Sequence, residues 1–198
     1  MRTRTKLLFW LLLTGPFFYL IYLAMTDNLG AEPAEAINKK LGNITIYLFL
    51  ANLYWGCYEG LISKNTFRKW QPLRRPLGVA TFIYAGLHLN SYFLREGDFG
   101  VALEQMKEKK YLLFGLSGFT ILLMLAITSN NYSLRKLKFK KWKNLHRLVY
   151  VAFFLITTHV LLIEKKSWLD NKFTVFPMAA LLIFRFCYSQ RTRFAYKK

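Results

Sequence analysis

Residues 142–163 read WKNLHRLVYVAFFLITTHVLLI. After Arg147 this stretch contains no charged side chain. The uncharged part, residues 148–163, approaches the length of roughly 20 apolar residues that an α-helix needs to cross a bilayer. Five further apolar blocks are separated by short charged loops. The sequence therefore predicts an all-α protein, a six-helix transmembrane bundle that forms one domain over residues 1–198. The predicted spans are about 7–25, 44–62, 77–95, 111–129, 145–163 and 172–188.

The composition supports a membrane protein. Hydrophobic residues make up 54% of the chain, against about 45–50% in soluble domains. The net charge of +19 would suit a nucleic-acid partner, but the basic residues lie in the loops between apolar blocks, which is typical of membrane proteins. No G-x-G-x-x-G or P-loop pattern is present. We therefore expect a lipid bilayer around the chain, no nucleic acid, and separate donor and acceptor molecules for any electron transfer.

The charges of the loops sort by side. If six spans are assumed, the two termini and the 63–76 and 130–144 loops contain lysine and arginine and no acid. The other three loops contain every acid except Glu59, which lies near the end of the second span and can relay protons or reach the basic interface. The positive-inside rule then predicts that both termini are cytoplasmic.

Three histidines are the candidate functional residues. His88 lies about eleven residues into the third span and His159 about fourteen into the fifth, at depths of roughly 17 and 21 Å. Two imidazoles at one level on parallel helices can bind both axial positions of a haem iron, and this ligation suits electron transfer. The alternative is that each histidine joins neighbouring helices by hydrogen bonds, in a scaffold without a cofactor. Both interpretations stay open at this point.

His146 begins the fifth span, about 20 Å from His159 towards the cytoplasm. Arg74 and Arg75 lie at its level on the third span and are not plausible iron ligands, so a second haem has no obvious sixth ligand. His146 is thus either a second haem ligand or an interfacial side chain beside Lys143. Three glycines would let a macrocycle or a helix approach the backbone, and Arg95 and the 135–143 basic run are candidate partners for haem carboxylates or solvated interfacial charge. The glycines are Gly86, Gly115 and Gly118.

Five segments carry a resemblance to a known family. They read LGAEP (29–33), RRPLG (74–78), LHLNSY (87–92), TS (128–129) and WKNLHRLVY (142–150), with His159 following. They resemble the MsrQ (YedZ-like) family, the haem-binding membrane subunits of protein-methionine-sulfoxide reductase systems, within the ferric-reductase-like transmembrane superfamily. In that superfamily the third helix carries two histidines, and the earlier position falls near Arg75 here, so the resemblance implies one or two haems.

The resemblance also implies a function. Family members pass electrons from a cytosolic flavin reductase or the quinone pool, through haem b, to a periplasmic molybdenum-cofactor (molybdopterin) subunit that reduces methionine sulfoxide in oxidised envelope proteins. His88, His146 and His159 become the expected ligands of haem iron, FMN is an additional family cofactor, and the bacterial inner membrane is the expected location. The chain would then be an electron-transfer subunit without substrate chemistry of its own. The rival function is a haem-dependent ferric or cupric reductase.

Overall fold

In the computed structural model, the residues described are 3–58, 71–163 and 180. Every regular element among them is a helix, which confirms the all-α prediction. The α-helices are α1 (Thr3–Met25), α2 (Pro33–Tyr58), α3 (Arg74–Glu96), α4 (Phe99–Glu108), α5 (Lys110–Ile127), α6 (Asn131–His146) and α7 (Val149–Ile163), and a 3-10 turn, Gln71–Leu73, precedes α3. The predicted sixth span and Glu59 lie outside the described residues.

Three helical stretches among the described residues are long and apolar enough to cross a membrane. They are Leu7–Met25, Lys110–Ile127 and Asn131–Ile163. The helices α2 and α3 contain 26 and 23 residues, but polar side chains such as Asn38, Asn52 and His88 lower their hydropathy. These side chains bond between the two helices. The full set of six spans and the side of the termini stay predictions.

Four of the described helices form two antiparallel pairs, α2 with α3 and α5 with α7. In the first pair Asn38 of α2 meets His88 of α3, and Asn52 meets the start of α3 at Arg74. In the second pair α5 and α7 cross, and His159 lies beside the beginning of α5. Each pair packs closely within itself, and contact between the two pairs is much sparser. The space that remains between the pairs positions the candidate site.

An apolar core closes one side of that space. Phe49 of α2 stacks on Phe153 of α7 with ring centroids 6.4 Å apart, and Phe82 of α3 stacks on Phe119 of α5 at 5.4 Å. Burial of aromatic rings is a large part of the packing energy in such cores. The buried residues of this cluster come from α2, α3, α5 and α7, so it holds the two pairs together.

Two predicted loops contain helices. The short helix α4 follows α3 directly, because Gly97 takes a left-handed φ of 72° and Asp98 then caps α4 by accepting a hydrogen bond from the N–H of Val101. The helix α6 occupies the basic 130–144 segment and bends at Lys138, where φ is 60°. His146, predicted to begin the fifth span, is the last residue of α6, and α7 begins at Val149.

Candidate functional site

His88 is held by a main-chain oxygen of the neighbouring helix. Its Nδ1 lies 3.0 Å from the carbonyl oxygen of Asn38 on α2. A carbonyl can only accept, so Nδ1 must carry the proton, and the other ring nitrogen, Nε2, keeps its lone pair in the neutral ring. The side chain of Asn38 also donates to the carbonyl of His88 and to Ser91 Oγ, at 3.0 and 2.8 Å. These bonds fix both the tautomer and the height of His88 against α2.

His159 repeats this arrangement in the second helix pair. Its Nδ1 lies 2.7 Å from the carbonyl oxygen of Tyr111 on α5. The same reasoning gives a protonated Nδ1 and a free Nε2. A histidine whose Nδ1–H is bonded to a backbone carbonyl is the usual state of a metal-ligating imidazole, because the bond orients the ring and raises the basicity of Nε2.

A glycine faces each imidazole. Gly42 lies four residues after Asn38, and a β-carbon built on it would be 3.1 Å from Cε1 of His88. Gly115 lies four residues after Tyr111, and its β-carbon would be 2.8 Å from Nδ1 and Cε1 of His159. In a helix the N–H of residue i+4 bonds the carbonyl of residue i. A side chain at i+4 would therefore obstruct a ring that reaches for the same carbonyl.

The two rings lie at one level between the helix pairs. Their centroids are 6.5 Å apart and their planes are inclined by 74°. If two imidazoles bind one metal ion, bonds of about 2 Å and about 1.1 Å from nitrogen to ring centre allow the centroids to lie up to roughly 6.2 Å apart. The observed separation is close to that value. The two neutral nitrogen donors suit an iron whose remaining ligands come from a porphyrin.

A cavity of about 530 Å³ contains both imidazoles, within the range of ligand sites in proteins. Its walls are mostly apolar and come from α2, α3, α5 and α7, with Met106 of α4 also contributing. Charged side chains lie at its polar end: Glu35, Lys39 and Arg95. An apolar cleft with a few charged groups at one end suits a flat apolar macrocycle that carries carboxylates on one edge.

Arg95 is oriented by an ion pair at the end of α3. Its Nη2 lies 2.7 Å from Oε1 of Glu96, and Gln105 of α4 donates to the other carboxylate oxygen of Glu96. The hydrogen bond from Arg95 is the main reason that the pKa of Glu96 lies below its ordinary value. This short network ties α4 to α3 beside the cavity.

His146 lies apart from the cavity. Its Nε2 is 3.2 Å from Oγ1 of Thr128, and its ring stacks on Trp142 with centroids 4.0 Å apart. The indole N–H of Trp142 in turn donates to the carbonyl of Thr128 at 2.9 Å. The structure thus brings together two of the three predicted histidines and places the third in a separate contact with the end of α5.

Sequence reasoning missed the partners of the histidines. Asn38, Gly42 and Tyr111 were not among the candidates, and Gly115, which was, faces His159 rather than open space. The available signal was the repeated spacing of four residues between the bonded carbonyl and the glycine. That signal becomes readable only once the antiparallel register of each helix pair is known.

The chain is similar to known membrane proteins. Residues 41–157 match the family described as ferric reductase like transmembrane component.

Three relatives carry the name protein-methionine-sulfoxide reductase heme-binding subunit MsrQ. The protein from Herminiimonas arsenicoxydans is 36% identical over 138 residues, 69% of this chain and 62% of the relative. The protein from Ralstonia nicotianae is 33% identical over 145 residues, 72% and 65% of the two chains. The protein from Brucella ovis is 30% identical over 182 residues, 89% and 80%. The matched region thus spans less than two thirds of the first two relatives.

Proposed function

The chain belongs to the ferric reductase like transmembrane family, in its MsrQ-like branch, and from this premise we propose that it is the haem b membrane subunit of a protein-methionine-sulfoxide reductase. The observation that carries the proposal is the imidazole pair, with centroids 6.5 Å apart. Both Nδ1 atoms are committed to backbone carbonyls. Helix-joining histidines would have no need to leave both Nε2 atoms beside one cavity.

His88 and His159 are the residues that would hold the haem iron. Haem with two imidazole ligands supplies a reversible one-electron couple without an open position for oxygen. Mostly apolar walls surround the imidazoles, and the carbonyls of Asn38 and Tyr111 accept hydrogen bonds from the two Nδ1–H groups. Arg95 and Lys39 supply positive charge at the polar end of the cavity, where cofactor carboxylates need counter-ions.

The partners follow from the function. We propose a cytosolic flavin reductase or the quinone pool as the electron donor, and a periplasmic molybdenum-cofactor subunit that repairs oxidised envelope proteins as the acceptor. The proposed location is the bacterial inner membrane, with the basic loops and both termini in the cytoplasm. FMN is an expectation of the family resemblance, and we assign no residue to it.

The proposal assigns one haem to the described residues. Because Nε2 of His146 faces the hydroxyl of Thr128 and its ring stacks on Trp142, we propose a structural role for His146 at the end of α5. Substitution of His88 or His159 should therefore remove haem, whereas substitution of His146 should not.

Haem quantification with reduced-minus-oxidised spectra tests the proposal. The purified wild-type chain should contain one haem b, His88→Ala and His159→Ala should each lose most of it, and His146→Ala should retain it. Size-exclusion profiles control for folding. A colourless wild type grown with ample haem would support the scaffold alternative, and unchanged spectra in His88→Ala would refute the ligand assignment.

A second candidate function is haem-dependent reduction of ferric or cupric ions outside the cell. The description of the matched family favours it. Addition of ferric citrate to the pre-reduced protein distinguishes the two. If the haem re-oxidises rapidly with stoichiometric formation of ferrous iron, the metal reductase is supported. Re-oxidation only by a molybdenum-cofactor partner supports the subunit function.

A further inference from the structure

The helix α6 is strongly basic. It contains six lysines and arginines and no acidic residue. All six cationic side chains are exposed: Arg135, Lys136, Lys138, Lys140, Lys141 and Lys143. Such a concentration of one sign of charge is repulsive within the helix unless an anionic partner neutralises it.

Within residues 3–58 and 71–163, α6 finds no such partner. None of its six cations pairs with a described carboxylate, since the ion pair found there joins Arg95 and Glu96. No residue of α6 is buried, and the helix packs extensively on no other described helix. Its outer surface is therefore a candidate binding surface.

Both ends of α6 are attached at the end of the bundle. At its beginning, Asn131 accepts a hydrogen bond of 2.6 Å from Arg75, the second residue of α3. Near its end, Trp142 donates to the carbonyl of Thr128, which caps α5. The bend at Lys138 lets the helix leave α5 and return to it. The cations are thus held next to the beginning of α3 and the end of α5.

Aromatic side chains are interspersed with these cations. Tyr132 and Phe139 are each 65% exposed. The ammonium of Lys136 lies 5.8 Å from the ring of Tyr132, and that of Lys143 lies 5.9 Å from the ring of Phe139. Exposed aromatic rings among lysines are typical of helices that lie in the membrane interface, where the rings enter the acyl boundary and the ammonium groups meet phosphates.

We propose that α6 is an interfacial helix that binds the headgroups of anionic phospholipids. An acidic protein would need only the positive charges of α6. The attachment of α6 at the end of the bundle and its exposed aromatic rings therefore favour lipid as the partner. The phosphate of the headgroup would be held by lysines of both halves of the bent helix. This inference does not depend on the proposed redox function.

Native mass spectrometry of the full chain in detergent micelles, titrated with dioleoyl phosphatidylglycerol or phosphatidylcholine, tests the proposal. The wild type should bind phosphatidylglycerol at least about tenfold more tightly, and the triple variant K136Q/K140Q/K141Q should bind it roughly a hundredfold more weakly, at about fivefold per lysine. The matched control K40Q/K107Q/K110Q removes three exposed lysines from other helices and should stay within about twofold of the wild type.

Circular dichroism of each variant verifies helix content, and single substitutions, each expected to cost about fivefold, replace any triple that does not fold. Equal binding of the two lipids, or an equal loss in both triple variants, would overturn the proposal. So would polyglutamate that binds α6 as tightly as phosphatidylglycerol, because the surface would then select acidic polypeptides.

Discussion

The carbonyl oxygens of Asn38 and Tyr111 each have two lone pairs and two available donors. One donor is the helical N–H four residues later, at Gly42 or Gly115, and the other is an imidazole Nδ1–H. Both bonds are possible only if the residue at the later position leaves room for the ring. Glycine is therefore required by the histidine opposite, and the positions of the imidazoles depend on the absence of a side chain at these two residues.

Substitution of these glycines should displace the imidazoles in proportion to the overlap. In Gly115→Ala the new methyl group would lie 2.8 Å from the His159 ring, and in Gly42→Ala 3.1 Å from the His88 ring. Overlap of this kind costs about 1–3 kcal/mol, so we expect haem affinity to fall about 5- to 150-fold, with the larger loss in Gly115→Ala. Titration of each apoprotein variant with haem, followed by Soret absorbance, measures the haem affinity of both variants.

Two other glycines supply the controls for that comparison. A β-carbon at Gly86 would be 3.9 Å from Phe119, an ordinary contact, and one at Gly15 would meet nothing within 4 Å. Alanine at either position should leave haem affinity unchanged and favour the helix by up to about 1 kcal/mol. A loss of haem in Gly86→Ala equal to that in Gly115→Ala would show that the effect is not specific to the imidazole.

The ion pair of Glu96 should make stability sensitive to acid. Glu96, one residue beyond the predicted third span, has a pKa below its ordinary value of 4.5, first because Arg95 donates to it and also because Gln105 does. A lowered folded-state pKa contributes stability that is fully present above 4.5 and is lost as the pH falls through the lower value. The difference in Tm between the wild type and Glu96→Gln should therefore be constant from pH 7 to about 5 and shrink below pH 4.5. A difference that grows on acidification would contradict this prediction.

At this scale the sequence indicated the two histidines of the cavity but not their hydrogen-bond partners. His88 and His159 were predicted to share a level because depth along a helix follows directly from residue count. Gly42 and Tyr111 could not be found in that way, since their role depends on how α2 meets α3 and α5 meets α7. The axial register of packed helices is set by side-chain interdigitation, which no count along one chain supplies.

Among the elements, α1 is attached through an inserted side chain. Pro16 lies inside the helix, and the hydroxyl of Tyr84 on α3 donates to the carbonyl of Leu13 at 2.8 Å while it accepts from the N–H of Phe17 at 3.1 Å. Leu13 and Phe17 are the two residues that an uninterrupted helix would bond to each other. Tyr84 thus satisfies two backbone groups that would otherwise be unpaired in an apolar environment.

Removal of that hydroxyl should weaken the attachment of α1. Tyr84→Phe keeps the ring but leaves the two backbone groups without their partner, at a cost of about 1–3 kcal/mol. We expect a lower Tm in detergent and faster proteolysis of α1. In the double variant P16A/Y84F the helical bond between Phe17 and Leu13 can form again, so the Tm should recover. A double variant less stable than Tyr84→Phe alone would show that the hydroxyl is not a bridge.

The helices α4 and α6, which lie in predicted loops, could not be predicted from apolar blocks. Spans were predicted from apolar blocks, and α4 and α6 lie in polar segments where that criterion finds nothing. Their evidence was local instead: Asp98 and Asn130 each cap a helix through a side-chain oxygen, and lysine and arginine are good helix formers. The place of His146 follows from the same omission, because α6 ends at the residue where the fifth span was expected to begin.

Within the described part of the molecule, two antiparallel helix pairs face each other across a cavity. Each pair contributes one imidazole, one carbonyl and one glycine in the same relation, although the sequence shows no internal repeat. The apolar core and the aromatic stacks join the pairs on one side, and close packing is otherwise confined within each pair. A ligand bound by both imidazoles would therefore link two units that have few other contacts at that level.

Haem should accordingly stabilise the molecule as a whole without changing its helices. A ligand that binds only the folded state adds about 2.7 kcal/mol at a hundredfold excess over Kd, and about 2–4 °C per kcal/mol for a chain of this size gives a rise in Tm of roughly 5–10 °C. We expect protein purified from haem-depleted cells to keep its far-ultraviolet circular dichroism but to have a Tm lower by that amount. Added haem should restore the wild type and leave H88A/H159A unchanged. If the apoprotein melted at the same temperature as the haem-loaded protein, the two helix pairs would be held by their own contacts, and the cavity would not be the place where they are joined.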